Sequence, residues 1–515
     1  MKWAFLSWRQ RRGSPAFAPL CEPVVARGLL GVLLVFIALG SIHLFAIPPF
    51  APLDEPRHIA YAIEIGEGHL ADVRDHVQLE KLHVRRIQGT HMMAAAAHPP
   101  LYYLLVCLPL KWSSQSGDLT WGTWVSRGVT LLLGIAGLLY AYLAAALIVP
   151  LKRSLALSAT AFCAFMPAFD NVSALVHNDS LAFLTTSALF HAVLLVVLQG
   201  PTRGALVSVG VWASLAAATR FASMIVVAPA LATVGLVLLF APGKPWSRRL
   251  SETLLIGLTL LGAVAATSGW FYLRNYRLYG DVTAAKALVE GLNRPVRTSF
   301  LHNVVTPSLW RTLVSDLWGR LAGGVKLDGT VTQLGSLFFF GGLLSALWPV
   351  LRAARARGWA MLRGKQAAAV AFLVIAAAFV VLPIFEFYSR GGNMTARYYF
   401  PVLWIPLLGV AVGYAHFKSN LPGAAALIGA ALLCLLTTEV YIGQLVGLKR
   451  GGLAFDRGFA RAELPAPELW VAALLVTFAV GIALILSAWS ALRAAEASEA
   501  PSTPRVGQDG VAAGG

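Results

Sequence analysis

Long apolar segments recur along this 515-residue chain, and they restrict its fold more than any other feature. A segment of about 17 to 25 apolar residues crosses the hydrocarbon core of a bilayer as a helix. The sequence therefore predicts an all-α polytopic membrane protein with about 12 transmembrane helices. The predicted spans lie near residues 28–47, 123–149, 154–170, 180–198, 204–219, 221–241, 252–272, 334–351, 367–385, 398–415, 422–441 and 468–489.

The composition agrees with this setting. Hydrophobic residues make up 57% of the chain and charged residues only 13%, which one soluble core could not accommodate. The formal net charge of +17 is also a property of many nucleic-acid-binding proteins. However, the basic residues form short clusters between apolar segments, and no nucleic-acid-binding motif is present. We interpret them as topology determinants and lipid-phosphate contacts, so membrane lipids are expected partners and nucleic acid is not.

Basic connections orient the spans, because cytoplasmic loops carry the excess of Lys and Arg. This rule predicts that both termini are cytoplasmic. Segment 101–110 is too short to cross the membrane and would reverse the charge pattern, so we expect a half-buried or surface-lying helix there. The orienting residues are Lys152, Arg153, Arg248, Arg249, Arg352, Arg355, Arg357, Arg363 and Lys365.

The predicted topology divides the chain into three parts. Residues 1–27 form a basic cytoplasmic N-terminus, residues 28–492 the transmembrane domain, and residues 493–515 a disordered tail. The first span is expected to remain as an anchor, since no apolar signal core precedes it. Extracytoplasmic loops are predicted at about 48–121, 273–333 and 442–467. The four cysteines, Cys21, Cys107, Cys163 and Cys434, lack metal-ligand spacing and predict neither a disulfide framework nor a thiolate metal site.

The first large loop begins with the sequence LDEPRH, in which Asp54 and Glu55 lie just beyond the first span. Two carboxylates at the rim of a bilayer face a large desolvation cost, so proton abstraction, cation binding or pairing with a base are their expected uses. Pro56 suits the first turn of a helix capped by Asp54 or Glu55. Ile59, Ala62 and Ile63 would give that helix one apolar face along the membrane interface. Simple capping by Asp54 is the alternative.

Four further motifs fall on the same predicted side of the membrane. They are HPPLYYLL from His98, HNDSLAFL with Asn178 and Asp179, RNYRLYGD at 274–281, and MTARYYFP with Arg397 and Tyr398. At these residues the chain resembles the GT-C superfamily of integral-membrane glycosyltransferases. It is similar to the group of protein O-mannosyltransferases and the lipid A aminoarabinose transferase, and to a related uncharacterised bacterial family. The resemblance extends from about residue 28 to 415, and the order of the motifs is its specific part.

The resemblance implies an enzyme that transfers a sugar from a polyprenyl-phosphate donor to an extracytoplasmic glycan, lipid or protein acceptor. It implies a multi-pass protein of a bacterial inner membrane, with its active site facing the periplasm. It also places the catalytic base on Asp54, with Glu55 as helper or alternative. An acceptor hydroxyl is a poor nucleophile until a carboxylate takes its proton. One carboxylate suffices for inverting displacement, which the family implies, whereas a retaining mechanism would need Asp179 or Glu55 near Asp54.

The leaving lipid phosphate requires fixed cations or hydrogen-bond donors. Candidates are Arg397, His98, Arg274 and Arg220. Family relatives often carry Lys where this chain has His98, so a phosphate contact there depends on imidazole protonation. The alternative for Arg397 is an interfacial arginine that reaches lipid headgroups.

Other motif residues have both a functional and a local interpretation. Asn178 and Asp179 can orient the acceptor or form a tight turn between spans. Tyr279, Gly280 and Asp281 can close a sugar pocket or form an ordinary turn. A separate group of tyrosines suits an interfacial aromatic belt better than sugar stacking. These are Tyr102, Tyr103 and Tyr398.

Six histidines fall in the first loop, and three of them are seven residues apart. On a helix that spacing corresponds to about 10 Å, too far for neighbours to share one metal ion. We interpret them as a polar interfacial face and assign no cofactor; a divalent metal such as zinc, with Glu55 or Glu80 as further ligands, remains an alternative. The histidines are His58, His69, His76, His83, His91 and His98.

Two other classes of protein share this pattern of spans. A secondary transporter is expected to show paired halves with broken helices, and it does not need a carboxylate-bearing loop of this length. A noncatalytic lipid or glycan assembly protein could keep the same architecture, and an Asp54 far from any cavity would support it. The Asp54–Glu55 pair favours an enzyme.

Overall fold

The computed structural model describes residues 18–50, 54–82, 91–291, 299–319, 329–357, 364–417, 419–446 and 466–499. Regular structure in these ranges is helical, apart from one bridge between His76 and Met92. The α-helices are α1 (Pro23–Ala46), α2 (Glu55–Gly66), α3 (Leu101–Gln115), α4 (Leu119–Ile148), α5 (Arg153–Ala164), α6 (Pro167–Ser173), α7 (Asp179–Gln199), α8 (Arg203–Ala217), α9 (Phe221–Leu239), α10 (Trp246–Val264 and Trp270–Tyr279, joined by a π-helical turn at Ala265–Gly269), α11 (Ala285–Gly291), α12 (Phe300–Val305), α13 (Pro307–Gly319), α14 (Gly329–Arg357), α15 (Lys365–Ser389), α16 (Trp404–Ala415), α17 (Leu421–Leu445) and α18 (Pro467–Ser498). Short 3₁₀ helices lie at Ala18–Cys21, Glu80–Leu82, Ala94–Ala97 and Ala396–Val402.

Nine of the described helices are long and apolar enough to cross a bilayer: α1, α4, α7, α9, α10, α14, α15, α17 and α18. Two bent pairs pass the same test together. Helices α5 and α6 meet at 64°, and the 3₁₀ helix Ala396–Val402 meets α16 at 79°. The chain is thus an all-α, multi-pass membrane protein with nine to eleven candidate spans in the part that the structure describes.

Eleven of the predicted spans coincide with these helices or bent pairs. The twelfth, 204–219, falls on α8, which has 15 residues and is shorter than a straight span requires. The count of about twelve is therefore not confirmed. Most of segments 1–27 and 442–467, the tail beyond residue 499, and His83 lie outside the described residues.

The bundle core forms where small residues let helices approach closely. Gly31 on α1 and Gly481 on α18 face each other, and a Cβ on Gly31 would lie 2.6 Å from the Gly481 carbonyl oxygen. Such close packing is the usual way in which membrane helices associate. Lipid is as apolar as the side chains, so van der Waals contact rather than the hydrophobic effect drives association. Helix α7 is buried nearly throughout at the centre of the bundle. Its first residue, Asp179, therefore lies inside the protein.

The predicted helix of the first loop begins where expected. Asp54 is the N-cap of α2, and Pro56 lies in its first turn. The prediction of a membrane-interfacial face was wrong, because Ile59, Ala62 and Ile63 are buried among protein side chains. Helix α2 packs instead on α3, so a protein helix covers its apolar face.

Helix α3 confirms the half-buried helix predicted at segment 101–110. Leu104 and Leu108 are exposed, whereas Tyr102 and Tyr103 are fully buried. The expectation that these two tyrosines form an interfacial belt was therefore wrong. The Tyr102 hydroxyl lies 2.6 Å from Thr130 Oγ1, so it links α3 to α4.

Candidate functional site

The carboxylate of Asp54 lies at one end of the bundle in an ion pair with the guanidinium of Arg397. The side chains are 36% and 25% exposed, so both reach solvent. Arg57 Nη1 lies 3.5 Å from Asp54 Oδ1, and Arg57 Nε donates to the Met92 carbonyl oxygen at 3.2 Å. Asp54 occupies the N-cap position, but its side chain makes no capping hydrogen bond. Capping therefore does not explain the carboxylate.

Charge around Asp54 keeps it ionised. Burial is the largest single effect and raises the pKa of the Asp54 carboxyl group, but the positive charges around it, that of Arg397 first, together outweigh burial and hold the pKa well below its ordinary value. The carboxylate is thus anionic throughout the neutral range.

His177 connects the first ion pair to a second one. Its Nε2 lies 3.0 Å from Arg397 Nη1, and its Nδ1 lies 3.0 Å from Asp179 Oδ2. Because a guanidinium can only donate, Nε2 must accept and the ring proton must reside on Nδ1, facing the carboxylate. Burial, followed by the charges of Arg397 and Arg220, holds the pKa of His177 well below its ordinary value. The imidazole is therefore neutral.

Asp179 also pairs with Arg220, which precedes α9 in an extended backbone conformation. Both side chains are buried. Burial lowers the pKa of Arg220 to about 10, which leaves it protonated at neutral pH. The ring of Tyr398 lies 5.7 Å from Arg220 Cζ and 5.6 Å from Arg397 Cζ, within cation–π range of both. Both guanidinium groups thus border the same aromatic ring.

Histidine and tyrosine rings form one wall of this site. The ring of His58 lies 4.0 Å from that of His177 and 6.2 Å from that of His98, and His58 Nδ1 lies 2.9 Å from the Tyr103 hydroxyl. Burial is the largest cause that holds the pKa values of His58 and His98 well below the ordinary value. His98 is therefore neutral, so a phosphate contact there would rely on a hydrogen bond rather than on charge.

The site carries an excess of positive charge. Three arginines face two carboxylates, and the three imidazoles are neutral, so one positive charge remains. The arginines come from α2, from the segment before α9 and from the 3₁₀ helix at Ala396–Val402. A partly exposed site of this kind favours an anionic ligand.

Glu55 does not lie beside Asp54 as a second partly exposed carboxylate. Its side chain is 1% exposed and forms a two-pronged ion pair with Arg127 on α4, with Nε–Oε1 at 2.8 Å and Nη2–Oε2 at 2.6 Å. The predicted role of helper or alternative base conflicts with this placement, because the carboxylate is enclosed by donors.

The remaining predicted residues contact backbone groups, and two of them, Arg274 and Tyr279, hold the first loop. Arg274 donates to the carbonyl oxygens of Leu70 and Ala71 at 3.0 and 2.8 Å, and the Tyr279 hydroxyl accepts from the Val73 N–H at 3.0 Å. Asp281 accepts from the N–H groups of Thr283 and Lys286, which closes the turn before α11. Asn178 Nδ2 lies 3.5 Å from the Thr219 carbonyl oxygen. These contacts give each residue a structural partner.

A cavity of about 500 Å³ lies beside Asp281. Gly280 and Asp281 line it, together with Lys286, Glu290 and Arg390 among others. The cavity lining does not include Asp54 or Arg397.

In the described part of the chain, no group of three or more His, Cys, Asp or Glu side chains is arranged to hold a metal ion.

Several residues of the site were not predicted as site residues. His58, which the sequence analysis assigned to a polar interfacial face, is buried in the wall of the site. His177 begins the HNDS motif, and Arg57 belongs to LDEPRH, so both stood within motifs already selected. Arg127 lies in the predicted span 123–149, where an ionisable side chain is itself a signal for a buried partner.

The helices and the buried polar site define an integral, multi-pass membrane protein. No family model matches the chain, and no curated protein matches it. Among solved structures, the chain is similar to ArnT from Cupriavidus metallidurans bound to undecaprenyl phosphate, with 17% identity, a TM-score of 0.43 and coverage of 90% of this chain and 77% of that one. The apo state of that protein gives 18% identity, a TM-score of 0.43 and coverage of 90% and 76%.

The chain is also similar to the archaeal oligosaccharyltransferase AglB from Archaeoglobus fulgidus, in complex with an inhibitory peptide and a dolichol-phosphate. The identity is 15%, the TM-score is 0.42, and the match covers 86% of this chain and 59% of that one. At such identities and TM-scores, the likeness assigns no substrate and no catalytic residue to this chain.

The buried pair of Asp179 and Arg220 gives a prediction about stability. Arg220→Gln leaves the Asp179 charge buried without its ion-pair partner and should destabilise the protein by about 3–5 kcal/mol. The double variant Asp179→Asn with Arg220→Gln leaves no such charge and should recover much of the loss. Denaturant titration in detergent micelles measures both, and a double variant no more stable than Arg220→Gln would contradict the assignment of this pair.

Proposed function

We propose that this protein is a membrane glycosyltransferase that moves a sugar from a polyprenyl-phosphate donor to a hydroxyl acceptor outside the cytoplasm. Asp54 acts as the base, and Arg397, with Arg220 behind it, stabilises the leaving phosphate. The observation that carries the proposal is the contact between a partly exposed, ionised carboxylate and a partly exposed arginine at one end of the bundle. The sequence resemblance to GT-C glycosyltransferases supplies the reaction class.

Asp54 has the geometry of a base that acts on a bound hydroxyl. Its carboxylate is free of capping and reaches solvent, while its backbone is fixed at the start of α2. A phosphate that engages the Arg397 guanidinium weakens the hold of that group on Asp54. Because Arg397 is the main cause of the depressed pKa of Asp54, the carboxylate then becomes a stronger base.

The arginines suit a departing lipid phosphate. Negative charge develops on the phosphate oxygens as the bond to the sugar breaks, and preorganised cations stabilise that charge without rearranging. Arg397 is held by Asp54 and His177, and Arg220 by Asp179. Both guanidinium groups border Tyr398, so the buried charge of Arg220 adds to the positive field behind Arg397.

The surroundings of the other carboxylates support a single, inverting displacement. A retaining mechanism needs a second carboxylate that is free to attack the sugar. Glu55 is enclosed by Arg127, and Asp179 is buried between Arg220 and His177. Neither has an oxygen that reaches solvent as Asp54 does.

We assign the site to the extracytoplasmic side, in a bacterial inner membrane facing the periplasm, because the basic connections occupy the opposite ends of the spans. The acceptor is a glycan, lipid or protein hydroxyl. Membrane lipids surround the helices, and no cofactor is assigned.

Binding of the lipid phosphate tests the donor class without requiring the acceptor. Native mass spectrometry of the protein in nanodiscs should retain polyprenyl phosphate, while the matched polyprenol without phosphate should bind at least about tenfold more weakly, since it cannot pair with arginine. Equal retention of the two lipids would contradict a phosphate site. Uptake of a solute by proteoliposomes, with no preference for the phosphate, would instead indicate a transporter.

A further inference from the structure

We infer that Glu55 and Arg127 form a positioning clamp that fixes Asp54 and His177 relative to each other. This inference rests on the proposed function, because it assigns these two residues to the geometry of the same site. Neither residue touches the proposed substrates. They are positioning residues, and Glu55 is not a second base.

Arg127 is completely enclosed and uses every donor of its guanidinium. Nε and Nη2 donate to the Glu55 carboxylate. Nη1 donates to the carbonyl oxygens of Leu44 and Ile47 at 2.9 and 2.6 Å, and Nη2 also donates to that of Pro48 at 3.3 Å. Arg127 therefore fastens the end of α1 to the start of α2. Lysine could not reproduce this planar, five-donor arrangement.

Glu55 accepts two backbone N–H groups besides its bonds to Arg127. The Val176 N–H donates to Oε1 at 2.9 Å, and the Phe50 N–H donates to Oε2 at 3.3 Å. Phe50 has φ of 68°, a left-handed conformation that is unfavourable for a non-glycine residue. The clamp therefore holds Phe50 in a strained backbone conformation.

The clamp contacts the direct neighbours of two site residues. Glu55 follows Asp54, and Val176 precedes His177. The bond from the Val176 N–H to Glu55 thus joins the backbone that carries the base to the backbone that carries the imidazole facing Arg397. A loss of this bond frees Asp54 and Arg397 to move apart.

Stability alone does not require this pair of charges. A buried ion pair often stabilises a protein no more than well-packed apolar side chains of similar volume. The bundle contains a second buried pair that includes neither a clamp residue nor a residue of the proposed site. His43 on α1 and Asp170 on α6 lie 2.8 Å apart, and both are fully buried. This second pair is the control for general effects of removing a buried polar pair from the bundle.

The test measures the pH at which the Asp54 carboxyl group is half protonated. We compare wild type, the double variant Glu55→Leu with Arg127→Met, and the control double variant His43→Leu with Asp170→Leu, all in nanodiscs. Infrared titration of the Asp54 carboxyl group, isolated by subtracting Asp54→Asn in each background, gives its protonation midpoint. The measurement needs no turnover.

The clamp predicts different midpoints for the two double variants. Asp54 is faced by Arg397, Arg57, His58 and His177, and its depressed pKa depends on the position of Arg397. When the clamp is lost, burial remains and the arginine contact weakens, so the midpoint should rise toward or above the ordinary value of an aspartate carboxyl group. The control variant should keep the wild-type midpoint.

An unchanged midpoint in the clamp variant would overturn the inference, and so would an equal rise in the control variant. If the clamp double variant does not fold, the variant Arg127→Lys replaces it in the test. Lysine keeps the positive charge but lacks the planar, forked guanidinium group, so the Asp54 midpoint in this variant must also rise. Wild-type protein that turns over no donor would overturn the proposed function while leaving the infrared result intact. The two failures are therefore distinguishable.

Discussion

Asp54→Asn should lower kcat by a factor of about a hundred to ten thousand, the usual contribution of a general base. Asparagine has nearly the same size and remains suitable at an N-cap, so expression and insertion should stay close to those of wild type. The loss should appear at saturating donor and acceptor, because the substitution removes the group that takes the proton. Steady-state kinetics of polyprenyl-phosphate release in nanodiscs measures it.

Asp118→Asn is the matched control for that substitution. Asp118 is also an N-cap aspartate in a loop, and its side chain does accept a capping bond from the Thr120 N–H at 3.0 Å. Asparagine preserves this type of cap, so turnover should remain at the wild-type level. Equal turnover of Asp54→Asn and Asp118→Asn would exclude Asp54 as the base.

Arg397→Gln should lower kcat/KM for the donor by a factor of about a hundred to a thousand, as expected when one preorganised donor to a developing anion is removed. The loss should fall on both donor binding and kcat, because the phosphate is charged in the ground state and gains charge on departure. Donor titration of the turnover rate separates the two parameters.

Arg390→Gln provides the control for Arg397→Gln. Arg390 belongs to the same region of the chain, but its side chain is 67% exposed and pairs with Glu386 one helical turn away. Such a surface pair contributes little, so donor kinetics should not change. An Arg397→Gln protein with wild-type donor affinity and turnover would remove Arg397 from the phosphate site.

The sequence predicted the helical architecture because bilayer thickness sets the length of every apolar segment. It did not settle the count of spans. Helix α8 is too short, and α5–α6 bends by 64° at a break near Pro167. The sequence also assigned the apolar face of α2 to the membrane interface, whereas protein side chains cover it. Periodicity shows that a face is apolar, but a covering protein layer such as α3 and a lipid interface produce the same pattern.

Motif order selected several residues that the structure brings together at one site. Asp54, Asp179, Arg220, Arg397 and Tyr398 all lie there. The sequence could not show which residues pair. Asp54 and Arg397 are 343 positions apart, and Glu55 and Arg127 are 72 positions apart. Two adjacent carboxylates therefore looked equivalent, although one is partly exposed and the other is enclosed.

The most direct test supplies purified protein in nanodiscs with a panel of polyprenyl-phosphate sugars and a membrane acceptor fraction, and measures released polyprenyl phosphate by mass spectrometry. Wild type should release the lipid phosphate from one or more donors, and Asp54→Asn should not. Release at equal rates by both proteins, or release by neither from any donor in the panel, would contradict a glycosyltransferase that uses Asp54 as its base.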